Sequence, residues 1–262
     1  SSAGSWVTQF ENLICRYTNA KHAVAITNGT DALRLALHVM GVRSGDEVFM
    51  SPISFIATAN AISHLGAIPY FIDTERNSMG ICPKALQKEL NLIGTKRGQT
   101  VFNKKSGRKI SAILPVHVFG HPSEVLKIKS IGEEWNLPIV EDAAEALGSW
   151  KIDKKKKIHC GLIGDIGIIS FNGNKVLTTG GGGVIITDNS EKALKAKHLS
   201  TTAKIEHPWE YDHDQIGWND RLPNINAALG VAQLEKLEFI ISKKRKLANM
   251  YKEVFKNFED IE

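Results

Sequence analysis

The chain has 262 residues, of which 42% are hydrophobic and 23% are charged. This composition is typical of a globular protein, excludes a disordered or low-complexity one, and includes no apolar run long enough to span a membrane. The net charge is +5, but the excess is spread along the chain. The densest basic run, residues 151–157, is typical of a solvated loop, and we expect no nucleic-acid binding there. A mild positive balance suits an anionic small substrate.

The cysteines and the amino terminus indicate the compartment. Cys15, Cys82 and Cys160 are far apart, odd in number and without metal-ligand spacing, which is typical of a reducing compartment and of a protein without structural zinc. Residues 1–4 lack the charged and apolar regions of a signal peptide. We therefore expect a cytoplasmic protein. Because the sequence does not begin with Met, we also expect a piece of a longer chain.

Apolar runs alternate with helical patterns as far as residue 187. The pattern predicts strands at residues 23–26, 47–50, 68–72, 110–116, 138–142, 166–171 and 184–187, and helices at 28–41, 55–65 and 124–135. Strands that alternate with helices indicate an α/β fold with a mostly parallel central sheet flanked by helices. The polar, basic stretch at 96–109 is predicted to be a surface excursion.

The character of the chain changes after Pro223. Residues 225–241 are strongly helical, and 242–258 continue with apolar residues at helical spacing, so we predict a long helical stretch with a kink. We assign residues 1–240 to a large domain. Residues 241–262 are assigned to a linker helix and the start of a smaller domain.

Several candidate ligand-binding residues follow predicted strands, and ligands of parallel sheets bind at the carboxyl ends of the strands. Asn28, Gly29 and Thr30 follow a strand and open a helix. Free N–H groups at a helix start hold a phosphate well, and Thr30 adds a hydroxyl. The alternative is a simple helix cap by Asn28 or Thr30.

An acid and a lysine follow two later strands. Asp142 at a buried strand end needs a cationic partner, such as a pyridinium nitrogen that it keeps protonated, or else it caps a helix starting at Ala143. Lys175 follows an apolar strand and precedes four glycines at 180–183, which permit a tight turn. Partial burial and neighbouring cations would favour the neutral amine that Schiff-base chemistry needs. The alternative for Lys175 is a solvated surface group.

Phe55 stands in the segment 51–55, after a predicted strand. Its ring could stack on an aromatic ligand, and the alternative is ordinary packing in the core.

Six sequence blocks occur in an order that resembles one known family. They are NGTDAL at 28–33, SFIATAN at 54–60, PVHVFG at 115–120, EDAAEALG at 141–148, SFNGNK at 170–175 and GWNDRL at 217–222. Together they resemble the DegT/DnrJ/EryC1/StrS aminotransferases, which are fold-type-I pyridoxal-phosphate (PLP) enzymes acting on nucleotide-linked keto sugars. The resemblance covers almost the whole chain, and it implies that residues 1–240 form the PLP-binding large domain of that fold.

The resemblance implies a role for each matching residue. Lys175 matches the Schiff-base lysine, Asp142 the acid paired with the pyridine nitrogen, and Phe55 the aromatic residue that stacks on the ring. The phosphate cradle is matched by the Gly29 backbone, Thr30 and Ser170.

Two further positions bear on the cofactor and on assembly. Glu145 falls where the family has Gln or His near the phenolic oxygen of the cofactor. This is a departure, because a carboxylate is repelled by a phenolate unless one of them is protonated. Asn219 matches an asparagine that reaches the phosphate of the neighbouring subunit, which implies a homodimer with shared active sites.

The resemblance implies a ping-pong aminotransferase, with glutamate as amino donor and a nucleotide-linked 4-keto-6-deoxy sugar as acceptor. Lys175 also carries the proton of the 1,3-shift. One alternative is a truncated, non-catalytic PLP-binding or dimerisation domain, because the family's C-terminal small domain is missing. Another is a PLP-dependent sugar dehydratase, although such relatives have histidine in place of the lysine. The NGNK block is most similar to the bacillosamine and legionaminic-sugar branch.

Overall fold

The computed structural model describes residues 4–256 and 258. The helices are α1 Ser5–Thr18, α2 Gly29–Val39, α3 Ile56–Ser63, α4 Pro83–Ile93, α5 Val125–Trp135, α6 Ser190–Ser200, α7 Asn224–Leu234 and α8 Leu237–Phe255, with a short 3-10 turn at Val118–Gly120. The strands are β1 His22–Ile26, β2 Glu47–Met50, β3 Ile68–Phe71, β4 Gly94–Arg97, β5 Thr100–Asn103, β6 Lys109–Leu114, β7 Val140–Asp142, β8 Trp150–Asp153, β9 Lys156–His159, β10 Ile166–Ser170 and β11 Gly183–Thr187.

The central sheet is built from two groups of hydrogen-bonded strands. One has the order β1-β11-β10-β7, and the other contains β3-β2-β6. Parallel bridges from Ile113 to Ile139 and from Val116 to Asp142 join β6 to the β7 segment. In the resulting order, β1-β11-β10-β7-β6-β2-β3, only β11 is antiparallel to its neighbours. The predicted mostly parallel sheet is therefore confirmed.

Alternate residues of the central strands pack into two separate cores. In β10, Ile166 and Ile168 face a core formed with α2, α3 and α6, whereas Ile169 faces a core formed with α1, α7 and the start of α8. A third core lies under α4 and α5, around Phe49. Because helices cover both faces, the inner strands β2, β6, β7, β10 and β11 are buried almost throughout, which explains why they are near-continuous apolar runs in the sequence.

The predicted surface excursion at 96–109 is wrong in part. Strands β4 and β5 form an antiparallel hairpin that joins β6. Val101 and Asn103 are buried, and the Asn103 side chain donates a 2.8 Å hydrogen bond to Glu47 Oε2. The lysines around this hairpin hid its alternation of buried and exposed positions.

The basic run at 151–157 also differs from the loop that its composition suggested. It lies on a second hairpin, formed by β8 and β9. Three helices, α1, α4 and α6, were not predicted from the sequence. The helical stretch after Pro223 is confirmed and is interrupted at Glu235 and Lys236, between α7 and α8.

The assignment of residues 241–262 to a linker and a second domain stays a prediction. Its residues 257 and 259–262 lie outside the described part of the chain. Within 4–256 and 258, none of the helices combines the length and the apolar character that crossing a membrane requires.

Candidate active site

A cavity of about 480 Å³ lies at the carboxyl edge of the central sheet, where β6, β7 and β10 end. Because parallel strands end at the same edge, segments far apart in the sequence meet there. Seven of the eight predicted site residues line this cavity, namely Gly29, Thr30, Phe55, Asp142, Glu145, Ser170 and Lys175. The eighth, Asn219, is exposed and does not line it.

The start of α2 forms one wall of the cavity. Asn28 Oδ1 accepts a hydrogen bond from the backbone N–H of Asp31 at 2.9 Å, so the capping role proposed for Asn28 is confirmed. This cap occupies the Asp31 amide, whereas the amides of Gly29 and Thr30 belong to the first turn and have no acceptor within the helix. Capping and anion binding are therefore compatible at this helix start.

Glycine at position 29 is required by close approach to β10. A Cβ atom there would lie 2.9 Å from Ser170 Cβ and 3.0 Å from Ser170 Oγ. The glycines at 180–183 have a comparable steric role: Gly180 and Gly181 adopt positive φ angles, and a Cβ at Gly183 would lie 2.5 Å from Asn28 O. The predicted tight turn is confirmed, and it lets β11 pass close to the start of α2.

Asp142 ends β7 at the bottom of the cavity and is buried. Its Oδ2 accepts a 2.7 Å hydrogen bond from Thr58 Oγ1, and its Oδ1 accepts from the Ala144 amide at 3.1 Å. Burial raises the pKa of Asp142, although these two hydrogen bonds act in the opposite direction. No helix begins at Ala143, so the alternative role of Asp142 as a helix cap is wrong.

Lys175 reaches the cavity from the turn after β10, where its backbone N–H donates to Asn172 O at 3.1 Å. Its side chain is mostly buried, and Nζ lies 2.9 Å from Glu145 Oε1. The alternative of a solvated surface lysine is therefore wrong.

Glu145 connects this lysine to the 3-10 turn on the other side. Its Oε2 accepts a 3.0 Å hydrogen bond from the Phe119 amide. Phe119 has a φ of 50°, an uncommon conformation for a bulky residue, and its ring is 79% exposed. The carboxylate that departs from the family pattern thus lies between the lysine ammonium and a strained backbone turn.

A buried pair of residues supports the sheet edge beneath Asp142. His117 Nε2 lies 2.8 Å from Glu141 Oε2, and both side chains are fully buried. Burial pushes the pKa of Glu141 upwards, but the hydrogen bond from His117 and those from the Gly164 and Gly161 amides outweigh it and hold this pKa below its usual range. No role for this pair is predicted from the sequence.

Phe55 lies at the mouth of the cavity with 73% of its surface exposed. Ordinary core packing, the alternative for this residue, is therefore wrong. Asn219 lies on the loop between α6 and α7, where its backbone forms a bridge with Thr201.

Comparison with known proteins identifies the family. The model of the DegT/DnrJ/EryC1/StrS aminotransferase family matches residues 1–262. The chain belongs to this family. The resemblance inferred from the six sequence blocks is therefore confirmed.

Two curated relatives illustrate the match. GDP-perosamine synthase of Escherichia coli O157:H7 is 36% identical over 252 residues, which cover 96% of this chain and 64% of the relative. The putative pyridoxal phosphate-dependent aminotransferase EpsN of Bacillus subtilis is 35% identical, covering 98% of this chain and 63% of the relative. The chain thus spans slightly less than two thirds of the length of these relatives.

Solved structures agree with this family. PseC of Helicobacter pylori, an aminotransferase involved in pseudoaminic acid biosynthesis, superimposes with a TM-score of 0.86 at 28% identity, covering 98% of this chain and 65% of that one. A family aminotransferase from Brucella abortus gives a TM-score of 0.85 at 32% identity, covering 97% and 64%. The predicted large-domain fold of the PLP aminotransferases is confirmed, and PLP is the cofactor of the family.

Proposed function

We propose that this chain is the cofactor-binding large domain of a PLP-dependent sugar aminotransferase. In the full reaction, an amino group would pass from glutamate to a nucleotide-linked 4-keto-6-deoxy sugar. The observation that carries the proposal is the meeting of Lys175, Asp142 and the start of α2 in one cavity. Relatives described as GDP-perosamine synthases and as an enzyme with a TDP-sugar product support the sugar substrate class.

The residues of the cavity fit the cofactor. The start of α2 offers the backbone amides of its first turn and the Thr30 hydroxyl for a phosphate, and the absence of a side chain at Gly29 lets the Ser170 hydroxyl approach this helix start. Asp142 offers a buried carboxylate for a pyridinium nitrogen, and Phe55 offers an exposed ring face at the mouth. PLP, when bound, supplies an aldehyde that bonds an amine and a ring that withdraws electrons from the neighbouring carbon.

Each of these residues of the cavity then has a defined role. Ser170 and Thr30 fix the phosphate, Phe55 covers the ring, and Asp142 keeps the ring nitrogen protonated by its negative charge. The Lys175 amine would take up the proton from the substrate carbon that bears the amino group and return it to the cofactor carbon that bonds the amine. Glu145, 2.9 Å from Nζ, holds that amine toward the cavity.

We further propose a homodimer in which Asn219 reaches the cofactor phosphate of the neighbouring subunit. Two observations support this: Asn219 is exposed, and it lies outside the cavity of its own chain. Exposed apolar side chains near it, Trp209, Tyr211 and Ile216, are available for burial against a partner.

A non-catalytic PLP-binding or dimerisation domain is the second candidate. The reaction with glutamate described below distinguishes it from the aminotransferase. A sugar dehydratase is disfavoured, since Lys175 stands where the resemblance places histidine in dehydrating relatives.

The test begins with loading the purified protein with PLP, reducing it with borohydride and mapping the modified peptide by mass spectrometry. We expect a yellow protein whose label is on Lys175, with Lys175→Arg as the charge-matched control that takes no label. Failure to take up PLP, or a label on another lysine, would contradict the proposal. Glutamate is then added to the unreduced protein: loss of the yellow colour supports the aminotransferase, whereas retention supports the non-catalytic domain.

A panel of nucleotide-linked keto sugars, offered to the protein in its amine-loaded form, would then identify the acceptor. Recovery of the yellow colour with a 4-keto-6-deoxy sugar is the expected result. No response to any 4-keto sugar would contradict the proposed substrate class.

A further inference from the structure

The first turn of α3 brings two hydroxyl groups to the acid at the bottom of the cavity. Thr58 Oγ1 lies 2.7 Å from Asp142 Oδ2, and Ser54 Oγ lies 2.5 Å from Thr58 Oγ1. Only 1% of Thr58 is exposed. An ionised Asp142 only accepts, so the single proton of the Thr58 hydroxyl points at Asp142, and the single proton of Ser54 is shared between Thr58 Oγ1 and Phe55 O.

The same turn also holds the aromatic residue at the cavity mouth. The Thr58 amide donates to Phe55 O at 3.1 Å, and Ser54 Oγ is 3.1 Å from the same oxygen. One helical turn therefore fixes both Phe55 above the cavity and the hydrogen-bond donor of Asp142 below it. Ser54 precedes the Phe55 cap of α3, and its side chain meets that of Thr58 at the start of the helix.

We propose that Thr58 is a positioning residue that holds Asp142 ionised and oriented toward the cavity, with Ser54 as its supporting donor. The inference rests on the proposed function, in which Asp142 faces a protonated ring nitrogen. Without Thr58, Oδ2 would lose its side-chain donor and Asp142 would keep only the Ala144 amide on Oδ1. A buried carboxylate with fewer donors favours its neutral form, which cannot hold the nitrogen protonated.

The other groups that face Asp142 do not replace this hydroxyl. The His117 backbone amide donates to the Asp142 backbone carbonyl at 3.0 Å. The His117 side chain hydrogen-bonds to Glu141, not to the Asp142 carboxyl, and the Lys175 side chain after β10 is paired with Glu145. Both act on Asp142 only as charges at a distance, in the direction that favours its ionised form. The Thr58 hydroxyl is thus the side-chain hydrogen-bond donor to Asp142 among the described residues.

The test compares Thr58→Val, which removes the hydroxyl at nearly constant volume, with Thr58→Ser, which restores it. Thr18→Val is the matched control, because Thr18 is also fully buried in a helix and donates its hydroxyl to a backbone oxygen, Ile14 O, at 2.8 Å. Thermal unfolding of all three variants separates general destabilisation from a specific effect on Asp142.

The first readout uses protein without cofactor. The Asp142 carboxyl is followed by ¹³C NMR as a function of pH and assigned by comparison with Asp142→Asn. In Thr58→Val we expect its titration to move upwards by about one pH unit, the size expected for loss of one hydrogen bond to a charged group. Thr58→Ser and Thr18→Val should titrate like the parent protein. An unmoved titration in Thr58→Val would overturn the proposal.

The second readout is the dissociation constant for PLP. We expect it to rise about tenfold in Thr58→Val and to stay within about twofold in Thr58→Ser and Thr18→Val. An equal loss in Thr18→Val, or no rescue by serine, would overturn the positioning role. If no protein takes up PLP, the proposed function fails, while the carboxyl titration still decides whether Thr58 controls Asp142.

Discussion

The bottom and the mouth of the cavity are built in different ways. At the bottom, Glu141 and Asp142 are buried, and backbone amides and side-chain donors hold their oxygens. At the mouth, Phe55 and Phe119 expose most of their rings. The contrast indicates that residues at the bottom of the cavity contribute both to the stability of the fold and to the proposed chemistry, whereas residues at the mouth contribute to ligand binding alone. Substitutions at the two levels should therefore have separable effects.

Lys175 lines the cavity, and its replacement should have the largest effect. Lys175→Ala removes the amine that we propose to attach the cofactor and carry the proton, so half-transamination with glutamate should fall by at least about 10³-fold. Stopped-flow or steady absorbance measurements of the PLP-loaded protein check this. Turnover close to that of the parent protein would remove Lys175 from the mechanism.

Glu141 tests the bottom. Its carboxylate accepts hydrogen bonds from the Gly161, Ile163 and Gly164 amides as well as from His117. Glu141→Gln turns an NH₂ group toward these donors and should lower the free energy of unfolding by roughly 3 kcal/mol at pH 7. Urea unfolding measures this free energy. Glu133→Gln on the exposed face of α5 is the control, and its free energy of unfolding should change by less than about 0.5 kcal/mol.

The Glu141 effect should also depend on pH. Because the folded protein holds the pKa of Glu141 below its usual range, this carboxylate stabilises the fold above the unfolded-state pKa. That stabilisation disappears as the pH falls through the folded-state pKa. The difference between parent and Glu141→Gln should therefore shrink in acid, and a difference independent of pH would argue against an ionised Glu141.

His159, which is fully buried, gives a second pH-dependent test. Burial lowers its pKa to about 4, and its Nε2 accepts from the Gly148 amide at 3.1 Å. His159 binds a proton near pH 6.5 in the unfolded chain but stays neutral in the folded protein until about pH 4. The free energy of unfolding should therefore fall by about 3 kcal/mol between about pH 6.5 and 4. His159→Gln keeps an acceptor but does not titrate. Its unfolding free energy should lose less over this window, and an equal loss would contradict the assignment.

Phe55 tests the mouth and should give the smallest effect. Phe55→Ala removes a ring that is already exposed, so the free energy of unfolding should change by less than about 0.5 kcal/mol. The dissociation constant for PLP should nevertheless rise by about fivefold, because ring stacking is lost. Phe71→Ala, an exposed phenylalanine on β3 outside the cavity, should change neither quantity beyond this range. A large stability loss in Phe55→Ala would remove the distinction between the two levels.

The sequence predicted the strands of the central sheet well, because strands buried on both faces are short apolar runs. It also predicted the residues of the cavity that follow strands or carry a known sequence block, such as Gly29 and Lys175. The supporting residues were less accessible. Thr58 lies 84 positions from Asp142 in the chain, and no local sequence pattern predicts a contact between residues so far apart. The position of Thr58 near the predicted helix start at residue 55 was the available signal.

The elements missed by the sequence analysis have a physical explanation. In the hairpin of β4 and β5, only Gly94, Val101 and Asn103 are buried, and the strands are too short to show a clear alternation of apolar and polar residues. The Glu141 and His117 pair was hidden for a different reason. Buried charged residues are uncommon, and their burial depends on donors from loops that only the folded chain brings near.

The walls of the cavity come from segments between residues 28 and 175. Such a site consists almost wholly of non-local contacts, and these form late because the loops that separate them must close first. During refolding, the ability to take up PLP should consequently lag behind the recovery of helical circular dichroism. The rate at which PLP uptake recovers would then report how fast the last parallel strand pairs with its neighbours.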